Sequence, residues 1–303
     1  MTAGDLIAVD VSTRQGDALV TTASIEGTTP VVTPETVYVA DTTGVVSAVD
    51  RTDGSIDWQF EPEFGLPWLN PTFAHDTVFV SMGGDGSVVA IDAATGSVEW
   101  IDEIRYATLS PPVVADGLVV VTSRDDRAHA FDAHTGERRW RSERIDPTPM
   151  CPATIVGGSV VIFGDYPDTT AYILDGSSGE IEHTMPIGEG APEAAAPIVV
   201  DGVAYVGVLE GDGRIDVSGT VYAIDLPIDG SSEDARVQLG THGHHHTWTG
   251  DTAAAVDRLA GDGVLGVATG STVVGSGMLG AGYIAWKHRD SIFGRTITTS
   301  KPD

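Results

Sequence analysis

The 303-residue chain holds one cysteine, Cys151, and only two lysines, Lys287 and Lys301. A single thiol excludes an intramolecular disulfide framework and any cysteine-rich zinc site. Cations are scarce altogether: 16 Lys and Arg stand against 44 Asp and Glu, a net charge of −28. That balance excludes a sequence-neutral DNA or RNA binder, because attraction to phosphate needs a basic surface. No apolar run lies within Met1–Gln15, so no signal peptide is visible. Residues 1–245 show no helical periodicity. Wholesale disorder is excluded by a hydrophobic content of 41%. The length suits one large domain or two ordinary ones.

Of the 44 acids, 30 are Asp. An Asp-rich, Lys-poor surface points to a halophilic protein: salt screens self-repulsion, and dense carboxylates keep the surface hydrated.

A repeat governs the rest. Ala48-Val-Asp50-x-x-Asp53-Gly54-x-x-x-Trp58 recurs as Ala90-Ile-Asp92-x-x-Thr95-Gly96-x-x-x-Trp100. It recurs again as Ala130-Phe-Asp132-x-x-Thr135-Gly136-x-x-x-Trp140. A decayed copy runs Ile173-Leu-Asp175-x-x-Ser178-Gly179, with His183 at the Trp position; Ala8-Val-Asp10 and Ala223-Ile-Asp225 open two more. The spacing is about 40 residues, the period of a four-stranded propeller blade. Within one unit, Val37–Ala40, Val45–Val49 and Ile56–Phe60 read as short strands separated by Gly and Asp turns. The expectation is an all-β chain, a β-propeller of four-stranded antiparallel blades with about six blades visible. Asp and Gly suit the tight turn, and each Trp offers a flat face and one N–H to the neighbouring blade. Trp58, Trp100 and Trp140 are therefore read as packing between blades.

The motif Ala-x-Asp-x-x-Thr-Gly-x-x-x-Trp resembles the tryptophan-docking motif of the pyrroloquinoline-quinone (PQQ) repeat family, and residues 5–240 carry the resemblance. The resemblance implies a propeller, often of eight blades. It admits two kinds of member: quinoprotein alcohol dehydrogenases, and non-enzymatic scaffolds such as BamB of outer-membrane protein assembly. The dehydrogenases use PQQ with calcium, and often a vicinal cysteine pair. Cys151 is followed by Pro152, so that pair is absent. The preferred reading is a protein-binding scaffold that needs no cofactor, extracytoplasmic or at the cell surface, with a protein partner and no nucleic acid. The alternatives are a quinoprotein-type oxidoreductase binding PQQ with calcium, and a ligand-sensing domain.

The first repeat starts mid-blade and has only two outer strands. The missing inner strands are expected from the C-terminal side, where Thr252–Val256 and Gly263–Thr269 could serve. Gly261-Asp-Gly-Val-Leu is like Ala115-Asp-Gly-Leu-Val119 and Val200-Asp-Gly-Val-Ala204. The domains are then 1–262, the propeller, and 263–303, a tail. Residues 264–286 carry no charge and are followed by Lys287, His288 and Arg289. Twenty-three residues in a helix would cross a bilayer at ~1.5 Å each, so this segment is a candidate transmembrane anchor. The competing expectation is that it supplies the last blade strands.

Three clusters remain. His242, His244, His245 and His246 form a candidate metal-binding tract, weighed against a solvated connection. Glu210-Gly-Asp212-Gly-Arg-Ile-Asp216 lacks the ligand pattern of a calcium loop and reads as a long hairpin turn. Arg138, Arg139, Arg141 and Arg144 read as salt-bridge partners on an outer strand, with an anion or partner site as the alternative.

Overall fold

The computed structural model describes residues 4–10, 15–22, 29–62 except 42, 70–146 except 85, 105 and 109, then 149, 151–164, 168–192, 197–210, 218–232, 283–287 and 295–300. Every regular element among them is a strand, and every pairing is antiparallel.

Four consecutive stretches each make a four-stranded meander. Blade I comprises β3 (Val31–Val32), β4 (Thr36–Ala40), β5 (Val46–Asp50) and β6 (Ile56–Phe60). Blade II comprises β7 (Thr72–Ala74), β8 (Thr77–Ser81), β9 (Ser87–Asp92) and β10 (Val98–Glu103). Blade III runs through β11 (Val113–Ala115), β12 (Leu118–Ser123), β13 (Arg127–Asp132) and β14 (Arg138–Arg141), and blade IV through β15 (Thr154–Val156), β16 (Ser159–Gly164), β17 (Asp168–Asp175) and β18 (Ile181–Glu189). Blade V is built on β19 (Ala191–Pro192), β20 (Ile198–Val200), β21 (Val203–Glu210) and β22 (Ser218–Asp225). Ahead of blade I, β1 (Gly4–Asp10) and β2 (Gln15–Thr22) form a two-stranded sheet.

Middle strands such as β8 and β12 are buried along nearly their whole length. Alternation explains why: each face of a blade meets a different neighbour. In β8, Val78 and Val80 pack with Tyr38, Val46 and Trp58 of blade I. Phe79, between them, packs with Val114, Val119 and Phe131 of blade III. Blades III and IV share a third cluster around Trp140, Ile155 and Leu174, and blades IV and V a fourth around Phe163, Ile173 and Val206. Leu6 of β1 joins Val37, Val39 and Val49 on the remaining face of blade I.

Outside blade I, the hairpins joining first and second strands obey one rule. At Asp116-Gly117, Gly157-Gly158 and Asp201-Gly202 both central residues have positive φ, as they do at His75-Asp76. A type I′ turn demands this, and its twist matches that of the strands it joins.

The tail departs from expectation. Within 264–286, residues from Tyr283 onward belong to β23 (Tyr283–Lys287), a strand rather than the end of a helix. That strand pairs with β24 (Arg295–Ser300), which in turn pairs with β22. These C-terminal strands extend the outer side of blade V and do not complete the β1–β2 sheet. Thr252–Val256, Gly263–Thr269 and the rest of the apolar segment, 264–282, lie outside the described residues. No helix among the described residues is long and apolar enough to cross a membrane.

Candidate protein-interaction face

The repeat motif builds one end of blades I to IV. In blade II the carboxylate of Asp92 accepts from the Thr95 amide at 2.8 Å and its hydroxyl at 2.6 Å. The Gly96 amide donates to the Asp92 carbonyl at 2.9 Å, and the Asp92 amide to Ser97 at 2.8 Å. Asp132 with Thr135 and Gly136, and Asp175 with Ser178 and Gly179, repeat the pattern. In blade I the carboxylate of Asp50 takes the amides of Thr52 and Asp53, and Gly54 donates to the Asp50 carbonyl. In blades II to IV the hydrogen bonds favour the ionised acid. The carboxyls of Asp92 and Asp175 are held below the usual range, chiefly by the hydroxyls of Thr95 and Ser177. Asp132 is lowered furthest, first by Arg139 and then by the Thr135 amide.

Each Trp reaches forward to the next such turn. Trp58 Nε1 donates to the Ala93 carbonyl at 2.9 Å, Trp100 Nε1 to Ala133 at 3.0 Å and Trp140 Nε1 to Gly176 at 2.7 Å. A register shift in each outer hairpin sets Trp58 opposite Ala48, Trp100 opposite Ala90 and Trp140 opposite Ala130. Alanine at the head of the motif thus leaves room for the indole. At the fourth copy, His183 pairs with Ile173 and is exposed. There Met185 and Ile187 pack on blade V instead.

This end is uniform. First-to-second and third-to-fourth turns are stitched together, Ala93 N to Asp76 O at 2.9 Å and Ala133 N to Gly117 O at 2.8 Å. The opposite end differs from blade to blade. It carries the second-to-third turns and the loops between blades. Gly86 receives the Ile104 amide at 3.1 Å, Ala107 receives Arg124 at 2.9 Å and Asp126 receives Ile145 at 2.7 Å. Thr108 Oγ1 donates to the Met82 carbonyl at 3.0 Å. Gly86 lies against the chain at Tyr106, where a Cβ would stand 2.1 Å from the Tyr106 carbonyl oxygen. This anchored backbone holds the Tyr106 ring outward, 55% exposed. A rigid frame presenting a loop aromatic is the usual anatomy of a binding surface.

Arg138 and Arg139 of β14, and Arg144 in the loop after it, are engaged internally. Arg138 pairs with Asp102 at 3.2 Å, donates to the Glu103 carbonyl and lies over the Phe131 ring at 5.4 Å. Arg139 pairs with Asp132, and Arg144 with Asp126. Arg141 is exposed. The histidines at 242, 244, 245 and 246 lie outside the described residues, as do 211–217. Glu210 pairs with Ser218 across that insertion, so its flanks form an antiparallel hairpin. Among the described residues no three His, Cys, Asp or Glu side chains come together as a metal site.

Sequence reasoning missed the inner ties between blades. Thr72 Oγ1 donates to the Pro112 carbonyl and Thr154 Oγ1 to Pro197, both at 2.7 Å. The signal was present: Pro30, Pro71, Pro112, Pro152 and Pro197 stand at or just before the first strands of successive blades.

The family model for outer membrane protein assembly factor BamB, a PQQ-type repeat family, matches residues 42–273. The chain belongs to this family. BamB of Bordetella pertussis is 34% identical over 121 residues, covering 40% of this chain and 31% of that protein. The quinohemoprotein alcohol dehydrogenase ADH-IIG of Pseudomonas putida is 28% identical over 176 residues, covering 50% of this chain and 24% of that enzyme. The crystal structure of BamB from Moraxella catarrhalis superposes with a TM-score of 0.53 at 17% identity, covering 76% of each chain. That likeness shows the propeller-type fold. The chain spans about half or less of the length of the curated BamB relatives first matched.

Proposed function

We propose that this protein is a non-enzymatic, extracytoplasmic propeller scaffold, similar to BamB, that binds a protein partner through the loop end bearing Tyr106. The observation that carries the reading is the match to the BamB family over residues 42–273. The asymmetry of the blades supports the choice of face: one end is spent on repeated structural turns, whereas the other holds an exposed aromatic on a fixed backbone. A partner with an apolar pocket rimmed by basic groups fits an aromatic anchor on a chain of net charge −28.

A photo-crosslinking residue at position 106 tests this in cells of the source organism, with position 95 on the turn end as control. A discrete adduct from position 106 and none from 95 is the expected result. Equal labelling at both ends overturns the choice of face. Fractionation of the same cells tests the location, since a cytosolic chain contradicts it.

Quinoprotein-type oxidation is the second reading, favoured by the identity to the P. putida enzyme. Titration of the purified chain with PQQ and calcium in high salt, read by absorbance and calorimetry, separates the two. Saturable binding of one PQQ per chain would establish the oxidoreductase reading; a folded chain that takes up none supports the scaffold.

A further inference from the structure

Among the described residues, Nδ1 of His129 is the one buried side-chain nitrogen or oxygen without a hydrogen-bond partner. His129 lies in β13, opposite Val121 and Arg141, and is 1% exposed. Its Nε2 stands 3.1 Å from both carboxylate oxygens of Asp125, across the turn that joins β12 to β13. Alternation puts the imidazole on the same face of blade III as Phe131, the face toward blade II.

The charged groups acting on the ring are few. Asp125 faces it from the turn. Arg138 and Arg141 act from β14, and Arg138 is itself paired with Asp102 of blade II. Val121, opposite on β12, is apolar. Neutral His129 donates one N–H to Asp125 and leaves a bare lone pair inside. A second proton would create a buried N–H with no acceptor, next to two guanidinium groups, and desolvate an added charge. Burial therefore pulls the imidazole below its ordinary titration range, and the Asp125 carboxylate only partly opposes this.

The turn carrying Asp125 is also a clamp. Arg124 donates to Ala107 at 2.9 Å, and the Ser123 hydroxyl to the Tyr106 carbonyl at 3.4 Å. On its other side Asp126 takes the Ile145 amide at 2.7 Å and pairs with Arg144, while Arg127 reaches the Ser142 carbonyl. Ser123–Arg127 thus fastens both loops that flank blade III, including the one that displays Tyr106.

We infer that His129 and Asp125 form a pH-sensitive latch: proton uptake by His129 releases the Ser123–Arg127 turn and frees the Tyr106 loop. The sign follows from linkage. A base whose proton affinity is lower in the closed turn than in the open one stabilises the closed turn above the ordinary histidine range. That stabilisation is lost as the pH falls through the lowered value. The latch acts whatever binds at Tyr106, so its failure and that of the scaffold reading are separable. Because the pair is buried, molar salt that screens surface charges leaves it largely intact.

Amide hydrogen exchange tests the latch in the full chain, in molar salt, between pH 7.5 and pH 5, corrected for intrinsic exchange. Peptides spanning 104–110 and 123–127 should lose protection on the order of tenfold on acidification. Peptides of β8 should not change. In His129→Met, which keeps the bulk and cannot titrate, protection of both segments should be independent of pH. Wild-type protection that stays flat, or an equal loss in His129→Met, overturns the inference. If the variant fails to fold, the ring resonances of wild-type His129 decide: titration at the ordinary histidine pKa, with no shift in the 104–110 amides, overturns it as well.

Discussion

Gly136 lies beneath the indole of Trp100, so close that a methyl group there would stand 2.6 Å from Cδ2 of the ring, and its φ is +71°. Two demands meet at one residue: the turn needs a left-handed conformation, and the neighbouring blade's ring needs an empty face. Gly136→Ala should cost about 1–3 kcal/mol through both effects. In a Trp100→Ala background the steric share disappears. A double-mutant cycle by chemical denaturation should return a coupling of about 0.5–3 kcal/mol. Strict additivity would mean that ring and turn do not press on each other.

Trp100 is buried between Phe79 and Phe131, with ring centroids 6.0 and 6.3 Å away. Trp100→Ala should destabilise the fold by about 3–5 kcal/mol. Trp100→Phe keeps much of the apolar area but removes the indole donor and strands the Ala133 carbonyl, a loss of about 1 kcal/mol. A loss below about 1 kcal/mol for Trp100→Ala would remove the indole from the interactions that hold blades II and III together.

Acid should weaken the turn at Asp132. Asp132, its carboxyl lowered chiefly by Arg139, stabilises the fold fully above the ordinary aspartate range. That contribution is lost as the pH falls through the lowered value. Melting curves from pH 6 to pH 2 should show an acid limb that is shallower in Asp132→Asn. An unchanged limb would show that this carboxylate titrates alike in folded and unfolded chains.

Ionic strength should move stability in one direction. At −28, self-repulsion dominates in dilute buffer and is screened over ~3 Å in molar salt. The melting temperature should therefore rise with added salt. Equal melting in low and molar sodium chloride would contradict the halophile reading.

Much of the blade was legible because its restraints are local. Asp92, Thr95 and Gly96 solve a turn within five residues, and the solution is written identically at Asp132, Thr135 and Gly136. Which carbonyl receives each indole was not legible, because the acceptor lies 33 to 36 residues onward and is a backbone atom, which leaves no mark on residue identity. Tyr106 and His129 escaped notice for a related reason. Each occurs once, and what distinguishes them is a loop fastened by main-chain atoms or a pocket lacking an acceptor. The composition of the tail left two readings open: an uncharged run can be a helix or strands, and its end at Tyr283–Lys287 is a strand in the same sheet as β22.

The forward reach of each indole gives the arc of blades a direction. Trp58 leans on blade II, Trp100 on blade III and Trp140 on blade IV, and no indole among the three leans back. Injury at one turn is thus felt first by the blade before it: a change at Gly179 should disturb the seat of Trp140 while leaving that of Trp58 untouched. Blade IV, with His183 in place of Trp, makes no such forward bond, so the sequence of dependence halts there, and blade V is held to its neighbour by apolar packing and the Thr154–Pro197 tie.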